Sequence, residues 1–100
     1  MSWRVLVSGP ARAQLRVIGK WWIANRPKAP ELFEEEVDRG LAFLAEAPLM
    51  GAHVSLRRPG MRRLLLRKSR YHLYYTIDET AGVVEVRAVW HTSRGKTPRL

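Results

Sequence analysis

Three features of this 100-residue sequence predict an α+β fold. A short apolar run opens the chain and breaks at Ser8-Gly9-Pro10. Two segments with helical spacing of apolar residues follow, up to Ala47. The last third then alternates with period two and is cut by short turns. The predicted order is an N-terminal strand, an antiparallel helical hairpin and a three-stranded antiparallel meander, with the helices packed on one face of the sheet. A chain of this length closes one core but not two, so residues 1–100 are expected to form a single domain.

Each element has its own signal. Trp3–Val7 is the first strand. Ser8 is suited to cap a helix and Pro10 to its first turn. That helix is expected over Pro10–Asn25, with Ala11, Leu15, Ile18 and Trp22 on one face and Arg12, Arg16 and Lys20 on another. Pro27 ends it by disfavouring α geometry in the residue before. The second helix is expected from Pro30 to Ala47, with Phe33, Val37, Leu41 and Leu44 as its stripe. Glu31, Glu34, Glu35 and Glu36 sit near its start, where the helix dipole favours negative charge. The short connection predicts an antiparallel hairpin. Of the two adjacent tryptophans, Trp22 fits the core stripe and Trp21 the rim.

Leu49–Gly60 is punctuated by Gly51, Pro59 and Gly60, with a short extended piece around Val54–Leu56. The meander follows as Met61–Arg67, a turn at Lys68–Arg70, Tyr71–Asp78, a loop at Glu79–Gly82, and Val83–His91. The tail Thr92–Leu100 carries Arg94, Lys96 and Arg99 and is expected to be frayed or ordered by a partner. Strict alternation assigns Leu64, Leu66, Tyr71, Leu73, Tyr75, Ile77, Val84, Val86, Ala88 and Trp90 to the covered face. It assigns Arg63, Leu65, Arg67, His72, Tyr74, Thr76, Glu85, Arg87, Val89 and His91 to an open, mixed and basic face.

Composition bounds the chemistry. The formal net charge is +9 and there is no cysteine, so disulfides and thiolate metal ligands are excluded. His53, His72 and His91 are scattered and make no metal motif, so neither metal nor cofactor is expected. No run is long enough to span a bilayer, and the N-terminus lacks a signal-peptide core, which points to a cytoplasmic protein with no membrane partner. Residues 1–30 hold six basic residues and no acid. From Glu46 to Asp78 no acid intervenes, while Arg57, Arg58, Arg62, Arg63, Arg67, Lys68 and Arg70 all fall there. Such a field favours a polyanion or an acidic protein partner over a merely solvated surface.

The phrase SRYHLYYTID followed by VVEVRAVWHTSR resembles the last two strands of the RelE/ParE superfamily of toxin–antitoxin toxins. Ala13–Leu15 and Ile18, the Leu44–Gly51 end of the second helix, and the Arg62-Arg63-Leu64 opening of the meander fit the same layout. The resemblance covers nearly the whole chain and rests on the order of weak motifs. It implies a cognate acidic antitoxin, partly disordered when free, and a toxin–antitoxin hetero-oligomer. It also implies one of two mechanisms. RelE-like toxins cleave messenger RNA in the ribosome, whereas ParE-like toxins act on DNA gyrase and lack the ribonuclease residues. His72 stands where RelE-like members typically carry arginine, and no tyrosine follows Tyr75. With the longer paired helices and the His-Thr-Ser-Arg-Gly tail, these departures favour a ParE-like toxin with no catalysis of its own.

Target or antitoxin binding is then expected at Arg63, Arg67, Tyr74, Arg87 and Arg94, with Tyr74 as a stacking residue. The ribonuclease alternative would place His72 and His91 on one face as an acid–base pair, with Arg67 and Arg94 on the phosphate. A third alternative is a non-toxic basic binding module.

Overall fold

The computed structural model describes residues 2–54 and 60–94. The chain runs β1 (Arg4–Val7), α1 (Gly9–Asn25), α2 (Leu32–Glu46), a 3-10 turn (Pro48–Met50), β2 (Ala52–His53), β3 (Met61–Leu66), β4 (Tyr71–Asp78), β5 (Val83–His91) and a second 3-10 turn (Thr92–Arg94). One mixed sheet has the order β1-β5-β4-β3-β2. β1 lies parallel to β5, and the other pairs are antiparallel.

The helices begin and end for local reasons. Ser8 caps α1, its side-chain oxygen accepting from the Ala11 N–H at 3.2 Å. The hairpin is held by Trp22, whose indole N–H donates to the Ala29 carbonyl at 2.9 Å. Trp22 stacks on Phe33, and Phe33 meets Tyr71 edge to face, so aromatic contacts carry the hairpin onto the sheet. Helix α2 starts two residues later than expected, with Glu34 and Glu35 in its first turn. It approaches closely at Gly40, where a Cβ would lie 3.1 Å from both Leu66 and Leu73.

The main core lies between the helices and one face of the sheet. Ala11, Phe33, Leu44, Leu73, Tyr75, Val84 and Val86 are buried there. Tyr75 donates its hydroxyl hydrogen to the Pro48 carbonyl. A Cβ on Gly51 would sit 1.9 Å from that hydroxyl oxygen, so glycine is needed for close approach rather than for its backbone angles. Burial raises the Tyr75 phenol above its ordinary pKa, against a smaller opposing pull from Arg62. The Arg62 guanidinium donates to the carbonyls of Leu49 and Gly51, binding the loop to β3.

Three further expectations change at the loops and strand ends. The extended piece falls at Ala52–His53 rather than Val54–Leu56; Val54 still donates to the Met61 carbonyl, and residues 55 and 56 lie outside the described residues. β3 ends at Leu66, because Arg67 already belongs to the turn. The tail forms a 3-10 turn as far as Arg94, and Lys96 and Arg99 lie outside the described residues.

The largest correction is in β5. Tyr74 pairs with Ala88 but Tyr75 with Val86, so Arg87 is an extra residue, a β-bulge. It sits where β1 leaves the sheet: Ser8 donates its N–H to the Val86 carbonyl and its hydroxyl to the Arg87 carbonyl. Beyond the bulge the faces exchange. Ala88 and Trp90, expected on the covered face, pack with the opposite side, while Val89 joins the main core. His91, expected on the open face, lies opposite Tyr71 on the helix side. Gln14 of α1 seals this arrangement by accepting the Val89 N–H at 2.7 Å.

Candidate functional site

The open face is built as strand-to-strand rows. One row is Leu65, His72 and Trp90; the next is Arg63, Tyr74 and Ala88. Beyond β5, Arg94 lays its guanidinium over the Trp90 ring at 4.3 Å. The bulge therefore returns to this face an aromatic residue that strict alternation places in the core.

The β3–β4 turn projects from the same end of the sheet. Arg67, Lys68 and Arg70 are exposed, while Ser69 is buried. Arg70 takes a left-handed backbone, φ 67°, which costs a non-glycine residue energy unless its surroundings hold it. Three hydrogen bonds do so. The Glu36 carboxylate of α2 accepts from the Lys68 N–H at 2.7 Å and from the Ser69 N–H at 2.9 Å. The Arg70 N–H returns to Leu66 at 2.9 Å. Burial would raise the Glu36 pKa, but those backbone N–H groups, with Arg39 nearby, outweigh it and hold it below the ordinary value. The acid that sequence reading assigns to the helix dipole is thus a buried fastener of the basic turn.

The expected site residues divide. Arg63 lies on the open face, Arg67 in the turn, and Arg94 against Trp90. Arg87 is at the bulge and pairs with Glu85 at 3.0 Å. Tyr74 is on the open face but only 2% exposed, covered in a small cluster with Met61, Ala88, Val54 and Trp90, so it is no stacking platform. His72 meets Tyr74 edge to face. Burial, then the charges of Arg63 and Arg70, depress its pKa and keep the ring neutral near pH 7.

His91 does not join His72. Its ring meets Tyr71 at 4.8 Å on the helix side, and its Nδ1 accepts from the Ser93 N–H at 3.0 Å. The pair expected for the ribonuclease alternative is therefore split between the two faces of the sheet. Sequence reading missed Trp90, Lys68, Arg70 and Glu36 as members of this region. The signals were three basic residues within four, Arg67-Lys68-Ser69-Arg70, and the adjacent apolar pair Ala88-Val89, which leaves the phase of β5 open.

A second concavity lies on the helix side. A groove of about 470 Å³ between α1 and α2 has Val7, Leu15, Phe33, Val37 and Leu41 along it. Arg12, Arg16 and Lys20 line one wall, and Glu34 and Asp38 the other. Among the described residues, no helix is long and apolar enough to cross a membrane.

Solved structures with a similar fold include proteins of toxin–antitoxin systems. The chromosomal ParDE system of P. aeruginosa matches with a TM-score of 0.72 at 14% identity, covering 89% of this chain and 95% of that one. The intact E. coli RelBE toxin–antitoxin complex matches with a TM-score of 0.68 at 22% identity, covering 92% and 99%. The RelBE2 complex of Mycobacterium tuberculosis matches at 0.67 and 21%, covering 93% and 94%. A search of curated proteins by sequence returned no match. At these identities the likeness is one of fold. A sequence model of one family matches residues 5–95, nearly the whole of the region described above, and by it this chain belongs to the ParE toxins of type II toxin–antitoxin systems.

Proposed function

We propose that this chain acts in the cytoplasm as a ParE-like toxin that inhibits DNA gyrase by binding, without catalysis of its own, and that a cognate acidic antitoxin neutralises it. The observation that carries this reading is the ParE family match over residues 5–95. The geometry supports the same choice over RNA cleavage. His72 and His91 stand on opposite faces of the sheet, and the Nδ1 of His91 is occupied by Ser93. Parted in this way, the two histidines do not meet a single phosphodiester as an acid–base pair.

The antitoxin part of the reading is supported by the RelBE neighbours, which are toxin–antitoxin complexes, and by the charge of this chain. An acidic antitoxin segment has both an apolar groove and a basic surface to use. Its binding is expected to weaken with added salt, since exposed charges are screened.

The test is a supercoiling assay with purified gyrase. Supercoiling stops when the toxin is added and returns when the antitoxin follows, while messenger RNA from induced cells stays intact. Undisturbed supercoiling at large toxin excess rejects the reading.

A further inference from the structure

The turn end of the sheet carries Arg67, Lys68 and Arg70, with Arg63 on the adjoining open face and Arg94 just beyond the end of β5. The Thr92 N–H donates to the Arg70 carbonyl at 2.9 Å, which binds the segment bearing Arg94 to the turn. Arg63 stands in the row beyond Leu65, His72 and Trp90 and, with Arg70, is close enough to depress the pKa of His72. Among the described residues none of these five cations is paired with a carboxylate, whereas Glu85 is paired with Arg87.

Two kinds of partner satisfy unpaired cations, an acidic protein or a phosphate backbone. A protein partner also draws stability from apolar contact at the centre of its interface. Most of the large exposed apolar side chains lie elsewhere: Val17, Trp21 and Ile23 on α1, and Leu49 and Met50 on the 3-10 turn after α2, while Phe43 and Leu65 border Arg67 and Lys68. A phosphodiester backbone asks mainly for charge and hydrogen-bond donors held in place. This rim supplies charge, and the turn beneath it is already ordered by the two backbone hydrogen bonds to Glu36. Ordering before contact lowers the cost of binding.

We propose that the rim formed by Arg67, Lys68 and Arg70, with Arg63 and Arg94, grips the phosphate backbone of a DNA duplex, and that Glu36 is the positioning residue of that rim. The choice of DNA over RNA rests on the gyrase reading, because gyrase holds a DNA duplex. The toxin then contacts the DNA of its target as well as the enzyme.

The experiment is fluorescence anisotropy of a labelled duplex with the full chain, over KCl from about 50 to about 200 mM. The logarithm of the association constant falls linearly with the logarithm of salt, by about 0.9 per phosphate neutralised. Arg67→Ala with Lys68→Ala makes binding at least about tenfold weaker and reduces the slope by about 2. Arg12→Ala with Arg16→Ala, in the helix-side groove, leaves affinity and slope unchanged. Equal losses in the two double variants overturn the proposal, because binding then follows net charge and not this rim. Competition by poly-glutamate as effective as by DNA overturns it in favour of an acidic protein, and tighter binding of single-stranded RNA overturns the choice of DNA.

Glu36→Gln is folded at the assay temperature by circular dichroism, binds several-fold more weakly and shows a shallower slope. Wild-type affinity and slope in that folded variant remove the positioning role. A toxin that blocks supercoiling yet binds no duplex overturns this inference and leaves the proposed function standing. One that binds duplex through the rim and leaves supercoiling untouched does the reverse.

Discussion

The two faces of the sheet are made by the same strands and held by different forces. On the helix side, Leu73, Tyr75, Val84 and Val86 are fully buried in one core with Ala11, Trp22, Phe33, Val37 and Leu44 of the helices. On the other side a small cluster of Met61, Tyr74 and Ala88 lies beneath a surface of arginines. The helix side is fixed by apolar burial, which is insensitive to salt. The charged face is fixed by hydrogen bonds to the turn and remains open to a partner. Stability is concentrated on one side and recognition on the other, so substitutions should separate the two.

The largest loss is expected at the centre of the covered face. Leu73→Ala leaves a cavity under Gly40 and should cost about 2–5 kcal/mol in denaturant unfolding. Leu65→Ala, on the opposite face of β3 and 36% exposed, should cost under about 1 kcal/mol. Equal costs would remove the contrast between the faces. Next is Gly51→Ala, whose methyl group meets the buried Tyr75 hydroxyl and should cost about 1–3 kcal/mol through overpacking. A thermal melt of Gly51→Ala in a Tyr75→Phe background tests the cause, since removing the hydroxyl should recover part of the loss.

Glu36 links the faces, and its effect is intermediate. Glu36→Gln weakens one of the two hydrogen bonds to the turn, one buried and one part-buried, and should cost about 1–2 kcal/mol. Its folded pKa lies below the unfolded value, so its contribution is full above about pH 4.3 and is lost as pH falls through the folded value. His72 acts in the same direction at higher pH. Its folded pKa is also depressed, so the unfolded chain takes up the proton first, and stability declines as pH falls below about 6.5. Unfolding followed against pH should show the upper shoulder vanish in His72→Gln and the lower one vanish in Glu36→Gln.

The smallest effects on stability belong to the exposed charges. Arg87→Ala breaks an exposed ion pair and should shift stability by less than about 1 kcal/mol. Reversing Arg67 and Lys68 to glutamate should likewise stay within about 0.5 kcal/mol, yet abolish growth inhibition on induction. Retained toxicity in that variant would show that the turn is not part of the working surface.

Much of this architecture was legible in advance because it rests on local rules. Ser8-Gly9-Pro10 marks the start of α1, and Tyr71–Asp78, Glu79–Gly82 and Val83–His91 have the bounds expected from alternation and turn residues. Trp22 is buried at 8% and Trp21 exposed at 46%, as helical spacing implies. The site was less legible. Alternation carried through Ala88 and Val89 gives a self-consistent face in either phase, because both residues are apolar. Nothing local selects the bulge at Arg87; it arises where β1 departs and Ser8 and Gln14 take over the edge of β5.

The sequence by itself determined the order of elements, the excess of positive charge and the turn that concentrates it, since periodicity, breakers and charge runs act over a few residues. The tertiary structure alone decided which side chains share a face. It parted His72 from His91, brought Trp90 under Arg94, and set Glu36 beneath Lys68 and Ser69, residues more than 30 positions apart. Each of these depends on strand register or on a helix meeting a distant turn. Such contacts are settled by packing the whole chain at once.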